Sequence, residues 1–243
     1  MFHKIRAVFF LIFAVSSYVL LGSIAILLSL LTGTGDYGHN LGRFWSKLLF
    51  IVAGLRLNVT GSENIPLGRP VVFASNHASQ LDIPVLYLAL CVQFRFLVKK
   101  ELFKIPLFGQ AMRMAGYIPI DRSGGKTAVL GLRDAAKRIR EGTSIVVFPE
   151  GTRSSDGRLQ PFKIGGIKVA IESGCPIVPV AISGSHKVLP KGSLMIRPGG
   201  IISVSIGRPI DPKGSRDDLT KEVWDAINAM LGNLNRSDPR VQS

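Results

Sequence analysis

Short apolar segments alternate with helical patterns through most of this chain, and this alternation constrains the fold more than any other feature. A short apolar run bounded by turn residues indicates a buried strand, whereas an apolar period of about 3.6 residues indicates an amphipathic helix. Strands are predicted at residues 71–74, 94–98, 117–120, 144–148, 177–182 and 201–206. Helices are predicted at residues 83–90, 102–114, 127–140, 166–173 and 219–231. This order predicts an α/β domain with a mostly parallel central sheet flanked by helices.

The N-terminal region differs from the rest of the chain because it is long, apolar and uncharged. No charged residue occurs from residue 7 to residue 31, and about 20 apolar residues are enough to span a bilayer. Lys4 and Arg6 precede this stretch, as basic residues precede the apolar part of a secretory signal peptide. The stretch is longer than the apolar part of a signal, however, and no clear small-residue cleavage site follows it. We therefore expect a retained membrane segment.

A second helical pattern is predicted at residues 39–57, after a turn at residues 32–36. Leu41, Phe44 and Leu48 fall near one face, while Arg43 and Lys47 lie elsewhere. Two helices joined by a short turn could form a hairpin that lies in one leaflet or partly crosses the bilayer. The alternative is a helical pair packed on the domain core. The predicted division is therefore a membrane-binding helical hairpin at residues 1–57 and an α/β domain at residues 58–243.

The net charge of the chain is +14, from 30 Lys and Arg residues against 16 Asp and Glu residues. Such an excess suits anionic lipid headgroups, an acidic protein or nucleic acid. The apolar N-terminus favours the lipid surface, and no aromatic-and-basic RNA signature or zinc-finger spacing indicates a nucleic-acid partner. The two cysteines, Cys91 and Cys175, lie in apolar settings. We expect them to be reduced core residues rather than a disulfide or a metal site.

The polar segment at residues 76–82 follows the first predicted strand of the α/β domain and contains His77 and Asp82. Five residues on one helix turn through about 140°, so these side chains can meet only if His77 precedes a helix and Asp82 lies in its first turn. A carboxylate placed there can accept the second imidazole N–H, fix the tautomer and stabilise the imidazolium. Two alternatives remain open. Ser79-x-x-Asp82 also fits a variant capping box, and His77 could be an ordinary loop histidine.

A second polar loop, residues 148–154, follows the predicted strand that begins at residue 144. Gly151 allows close backbone approach, Arg153 offers a planar fork for a phosphate, and Thr152 and backbone N–H groups can add donors. Glu150 could hold that arginine or a substrate hydroxyl. The alternative interpretation is a turn with a surface ion pair.

Two further cations follow neighbouring predicted strands. Arg122 could form a second arm of an anion site, or it could be an exposed arginine paired with Asp121. Lys99 could reach the same anion as a point charge, although a solvated lysine is the more common case.

These segments resemble, in content and order, the four blocks of the glycerolipid acyltransferase family, and the bacterial 1-acyl-glycerol-3-phosphate acyltransferases match best. The matching stretches are residues 77–82, 116–122, 148–154 and 178–182. The resemblance implies that His77 and Asp82 are catalytic and that an N-terminal helical pair docks on a membrane. It also implies that the phosphorylated acceptor is bound by Glu150, Gly151, Thr152, Arg153 and Arg122, and Lys99 matches a lysine of the family's K-x-E-L stretch.

The function implied by this resemblance is transfer of a fatty acyl group to the sn-2 hydroxyl of lysophosphatidic acid, which gives phosphatidic acid for phospholipid biosynthesis. The donor would be a thioester of acyl carrier protein or of coenzyme A, with no bound cofactor and no metal. The absence of a G-x-S-x-G elbow agrees with direct transfer. The expected location is the inner (cytoplasmic) membrane, with the catalytic domain facing the cytoplasm. The alternatives are acylation of another lysophospholipid, a non-catalytic membrane-anchored lipid-binding protein, and a phosphate-site hydrolase.

Overall fold

The computed structural model describes residues 2–121 and 125–236. The strands are β1 (Arg56–Thr60), β2 (Val72–Ser75), β3 (Phe94–Lys99), β4 (Ile118–Ile120), β5 (Ser144–Val147), β6 (Ile177–Ser183) and β7 (Ile201–Ile206). The helices are α1 (Phe2–Thr32), α2 (Asp36–Ala53), α3 (Asp82–Ala89), α4 (Phe108–Met114), α5 (Gly125–Arg140), α6 (Ile164–Ser173), α7 (Ser185–Val188) and α8 (Arg216–Arg236). Short 3₁₀ segments occupy Ser62–Asn64 and Lys100–Lys104.

The strands form one sheet in the order β1-β7-β6-β2-β5-β3-β4. From β6 to β4 neighbouring strands are parallel, as expected where helices connect successive strands. β7 is antiparallel to β6, and β1 is parallel to β7. The predicted α/β fold with a mostly parallel sheet is therefore confirmed.

Both faces of the sheet are covered, and strand alternation assigns the side chains to two cores. Val71 and Phe73 belong to the core that contains α2 and α3. Val72 and Ala74 belong to the core formed with α5, α6 and α8. The central strands β2 and β5 are buried at every position, which fixes the loops that follow them.

Helix α1 differs from a typical soluble helix, because many of its large apolar side chains face outward. Ala7, Ala25 and Ser29 are buried, whereas Phe9 and Leu20 are 64% and 62% exposed. Residues Arg6–Thr32 are long and apolar enough to cross a membrane, by length and composition. Since soluble proteins rarely expose a large continuous apolar surface, α1 favours association with lipid.

Helix α2 ends earlier than predicted. Gly54 adopts a left-handed conformation (φ 62°), its N–H donates to the Ile51 carbonyl at 3.0 Å, and the helix ends at Ala53. The prediction that the helix reaches Leu57 is therefore wrong, because that residue lies in the edge strand β1, where exposure alternates. Arg43 donates to the carbonyls of Tyr87 and Leu90 and so ties α2 to the end of α3.

Two smaller predictions also fail. The single helix predicted at residues 102–114 is divided, because the residue before a proline disfavours helical geometry and Ile105 before Pro106 is extended. Cys91 was expected in the core but is exposed, at the turn between α3 and β3, while Cys175 is partly buried. Both cysteines are free.

Candidate active site

The polar loops highlighted in the sequence follow adjacent strands at one edge of the sheet. His77 follows β2, Glu150 and Arg153 follow β5, Lys99 ends β3, and Asp121 follows β4. These four strands are parallel neighbours in the order β2-β5-β3-β4. Their carboxyl ends therefore meet at the edge where α/β proteins place their binding sites, with about 4.8 Å between neighbouring strands.

Asn76 fixes the start of the His77 loop. The Asn76 side chain lies against β6, where its Nδ2 donates to the Ile182 carbonyl at 2.9 Å and its Oδ1 accepts the Ile182 N–H at 2.7 Å. The side-chain amide thus replaces a backbone peptide in the ladder between β2 and β6. The chain leaves the sheet at the next residue, which places His77 at the sheet edge.

His77 and Asp82 meet as their spacing predicted. His77 precedes α3, Asp82 opens it, and the His77 Nδ1 lies 2.8 Å from the Asp82 Oδ2. The Asp82 side chain is completely buried, whereas 17% of the His77 side chain is exposed. Because an ionised carboxylate can only accept, we assign the proton to Nδ1, which leaves the lone pair on Nε2. That is the tautomer of a general base.

Asp82 also fulfils part of the capping alternative. Its Oδ2 accepts the backbone N–H groups of Ala78 and Ser79 at 2.7 and 2.8 Å. The reciprocal half of a capping box is absent from this described loop, because the Ser79 Oγ accepts the Leu81 N–H and donates to the Leu189 carbonyl. The same carboxylate oxygen, Oδ2 of Asp82, therefore both shapes the loop and orients the imidazole.

The loop at residues 148–154 surrounds His77 with three contacts that the sequence did not reveal. The Glu150 Oε1 accepts the His77 N–H at 2.6 Å, and the Ser154 N–H donates to the His77 carbonyl at 2.7 Å. The ring of Phe148 stacks on the imidazole with 4.0 Å between centroids and 17° between planes. The strand end predicted at Phe148 could have suggested its position, but no sequence signal indicated its partner.

Glu150 braces two loop segments. It is 2% exposed, its Oε1 accepts the His77 N–H, and its Oε2 accepts the Gln160 N–H at 2.9 Å. Burial raises the pKa of Glu150 from 4.5 to about 7, and the two N–H groups oppose that rise. The partners of its oxygens in the described residues are backbone N–H groups rather than Arg153, while a contact with a substrate hydroxyl stays a prediction.

Three cations lie at the second loop. Within the described residues, no carboxylate forms an ion pair with Arg153, Lys163 or Lys191. The Lys191 ammonium donates to the Arg153 carbonyl at 2.7 Å. The Lys163 side chain crosses Gly151 (φ 73°), where an added Cβ would lie 3.4 Å from its Nζ. Neither lysine belongs to a recognised sequence pattern, so neither was predicted to lie at this loop.

The remaining predicted cations lie farther along the edge or cannot be placed. Lys99 is exposed at the end of β3, with its Nζ 3.7 Å from the Glu101 Oε2. Lys100 forms an ion pair with Asp121. Arg122 lies outside the described residues. Within residues 2–121 and 125–236, no group of three or more His, Cys, Asp or Glu residues could hold a metal ion.

Comparisons with known proteins include the two loops that carry His77, Asp82, Glu150 and Arg153. A family model described as Acyltransferase matches residues 56–183. The 1-acyl-sn-glycerol-3-phosphate acyltransferase BAT2, chloroplastic, of Brassica napus is 38% identical over 184 residues, which are 75% of this chain and 52% of the relative. A 1-acyl-sn-glycerol-3-phosphate acyltransferase of Limnanthes douglasii is 35% identical and covers 83% of this chain, with 74% of the relative covered in return.

A solved structure is similar over almost the whole chain. The crystal structure of the 1-acyl-sn-glycerophosphate (LPA) acyltransferase, PlsC, from Thermotoga maritima gives a TM-score of 0.83 at 30% sequence identity. The match covers 96% of this chain and 98% of that one. The chain spans about half the length of the Brassica napus relative.

Proposed function

Because the chain belongs to the acyltransferase family, we propose that it transfers a fatty acyl group from a thioester to the sn-2 hydroxyl of 1-acyl-glycerol-3-phosphate, which yields phosphatidic acid. Its relatives in plants and bacteria carry the name of this reaction, as does the Thermotoga maritima protein. The observation that carries the proposal is the buried Asp82 carboxylate at 2.8 Å from the His77 imidazole, beside a cationic loop. This arrangement supports base-assisted attack by a hydroxyl held through its phosphate.

In the proposed mechanism, His77 is the general base. Its Nε2 takes the sn-2 hydroxyl proton as the oxygen attacks the thioester carbonyl. The C–S bond of the tetrahedral intermediate then breaks, and the departing thiolate takes the proton from the imidazolium. Asp82 orients the imidazole throughout and balances its transient charge. Atoms and charge are conserved without acylation of the protein.

The acceptor phosphate would be bound by the loop at residues 148–154. Arg153 supplies a planar fork for two phosphate oxygens, while Thr152 and the backbone beside Gly151 can add N–H or O–H donors. Lys163 and Lys191 add positive charge at the same loop. Because the Ser154 N–H donates to the His77 carbonyl, a phosphate held next to Ser154 would place the adjoining sn-2 hydroxyl near the base.

Lys99 and Arg122 are the outer members of the proposed anion site. Lys99 lies at the same sheet edge, two strands from His77. Arg122 follows β4 in the sequence. Glu150, which the sequence grouped with the substrate contacts, would act on this site by holding the loop in shape.

The acyl donor would be a thioester of acyl carrier protein or of coenzyme A. Both donors are anionic, and the net charge of +14 favours their approach. Neither donor is a resident cofactor, since each leaves as a free thiol after transfer.

The hairpin, residues 1–57, is proposed to dock the enzyme on the cytoplasmic face of the inner membrane, ahead of a catalytic domain at residues 58–243. Its helices end at Ala53, just before β1. Each CH₂ of a lipid chain costs about 0.8 kcal/mol to expose to water. A site held at the membrane lets both acyl chains stay in lipid while the headgroup reaches Arg153.

A panel assay tests the function. Purified protein is incubated with an acyl thioester and with lysophosphatidic acid, a choline-headed lysophospholipid or no acceptor, while thiol release and lipid products are followed. We expect thiol release that depends on lysophosphatidic acid and yields phosphatidic acid. A lipid-binding scaffold would release no thiol. A hydrolase would release thiol without acceptor, and faster acylation of the choline lipid would favour the other acyltransferase activity.

A further inference from the structure

Phe148 lies against the imidazole of His77 in a column of three nearly parallel rings. The His77 and Phe148 centroids are 4.0 Å apart with 17° between their planes. Phe148 also stacks with Phe96, with 6.2 Å between the centroids and 12° between the planes. Phe96 belongs to β3 and is 2% exposed, so the column is anchored in the buried sheet. The plane of the imidazole is thereby fixed from the sheet.

This column supplies a constraint that Asp82 cannot supply. A single hydrogen bond from Nδ1 to Oδ2 fixes the direction of that N–H, but the ring can still tilt about the bond axis. A flat ring packed against one imidazole face removes the tilt. Together the two contacts determine where Nε2 points, and small errors in that direction are costly for proton transfer.

The strength of the contact between Phe148 and His77 depends on the charge of the imidazole. The face of an aromatic ring is electrostatically negative and attracts a cation placed over it. Charged groups from two other elements also contact His77, namely the Asp82 carboxylate on α3 and the Glu150 carboxyl after β5. In the proposed mechanism the imidazole becomes cationic only after it takes the hydroxyl proton. The Phe148 face therefore favours the transition state over the ground state.

We propose that Phe148 is a positioning residue for this reaction, which holds the plane of the His77 ring and stabilises its cationic form. This inference rests on the proposed function, in which His77 is the base. Phe148 acts through His77, so its effect should fall on turnover rather than on binding of the acceptor.

Substitution separates turnover from binding. Phe148→Leu should lower kcat about 5- to 30-fold with little change in the acceptor KM. Phe148→Tyr, which keeps an aromatic face, should restore most of the loss. Phe162→Leu is the matched control, because this half-buried ring packs in the opposite core and should leave kcat unchanged. A Phe148→Leu protein with wild-type kcat would overturn the proposal.

A fluorinated series tests the charge effect without removing the ring. Phenylalanine with none, one, two or three fluorine atoms is placed at position 148 of the full chain, since fluorination weakens the negative ring face while largely preserving its shape. We expect log kcat to fall stepwise along the series, with unchanged thermal unfolding. An unchanged kcat across the fluorinated series would overturn the inference, and this result can be read even if the Phe148→Leu protein does not fold. The wild-type assay distinguishes failure of this inference from failure of the proposed function, because a wild-type chain that transfers no acyl group would refute the proposed function itself.

Discussion

Replacement of Asp82 separates its electrostatic role from its structural role. Asp82→Asn keeps an oxygen that can accept from His77, Ala78 and Ser79, but it removes the negative charge. Asp82→Ala removes both. Oδ1 of Asp82 has no hydrogen-bond partner among the described atoms, so the new amide group replaces an oxygen that was already unsatisfied.

The expected sizes follow from these contacts. Opposite charges about 4 Å apart at an effective dielectric constant of about 20 attract by about 4 kcal/mol, which corresponds to about a thousandfold in rate. Asp82→Asn should therefore lose about 10³-fold in kcat and keep most of its stability. Asp82→Ala leaves two buried backbone N–H groups unsatisfied, at about 1–3 kcal/mol each. It should lose about 2–6 kcal/mol of a typical total of about 5–15 kcal/mol.

The measurements are thiol release at saturating donor and lysophosphatidic acid, and thermal unfolding followed by circular dichroism. Asp225→Asn serves as the control, because this carboxylate is half exposed on α8 and pairs with Lys221. Wild-type kcat in Asp82→Asn would refute the electrostatic argument. Equal loss of stability in the two Asp82 variants would refute the distinction between charge and hydrogen bonding.

Three further predictions address the anion loop, the brace and the membrane helix. Arg153→Ala should raise the KM for lysophosphatidic acid about 10- to 100-fold and leave a phosphate-free monoacylglycerol acceptor unaffected; an unchanged KM would contradict the phosphate site. The raised pKa of Glu150 means that the folded chain holds the Glu150 proton more tightly than the unfolded chain does. The contribution of Glu150 to the free energy of unfolding is therefore fully present below pH 4.5 and lost as the pH rises through about 7. In urea unfolding, the free energy of unfolding of the wild type should fall by about 2 kcal/mol more than that of Glu150→Gln between about pH 5.5 and about pH 8. An equal fall in both proteins would exclude Glu150 as its source. Leu20→Arg should weaken binding to lipid vesicles at least about 50-fold, whereas Leu67→Arg, in the turn before β2, should not; equal effects would exclude α1 as the anchor.

The parts of the fold that sequence predicted well are those in which burial dictates the pattern. Strands β2 and β5 are apolar throughout because both of their faces are covered. β1 was missed because its alternating, half-exposed residues continue the preceding helical pattern, and only Gly54 indicated the end of α2. Both the inward and the outward face of α1 are apolar, so a hydropathy pattern does not distinguish them.

Local spacing was enough for one part of the site and insufficient for the other. The contact between His77 and Asp82 joins residues five positions apart, so helix geometry could state the condition for it, namely that His77 precedes a helix and Asp82 lies in its first turn. The contacts of Phe148 and Glu150 with His77 join residues more than 70 positions apart, and they depend on β2 and β5 being neighbours. Those contacts require the sheet order, which the strand patterns did not give.

Turnover by the His77→Ala protein, purified in the folded state, is the most direct test of general-base catalysis by His77. General-base assistance is typically worth about 10²–10⁴-fold, so acyl transfer to lysophosphatidic acid should fall by at least about a hundredfold while thermal unfolding stays near that of the wild type. A folded His77→Ala protein that produces phosphatidic acid at close to the wild-type rate would contradict the account.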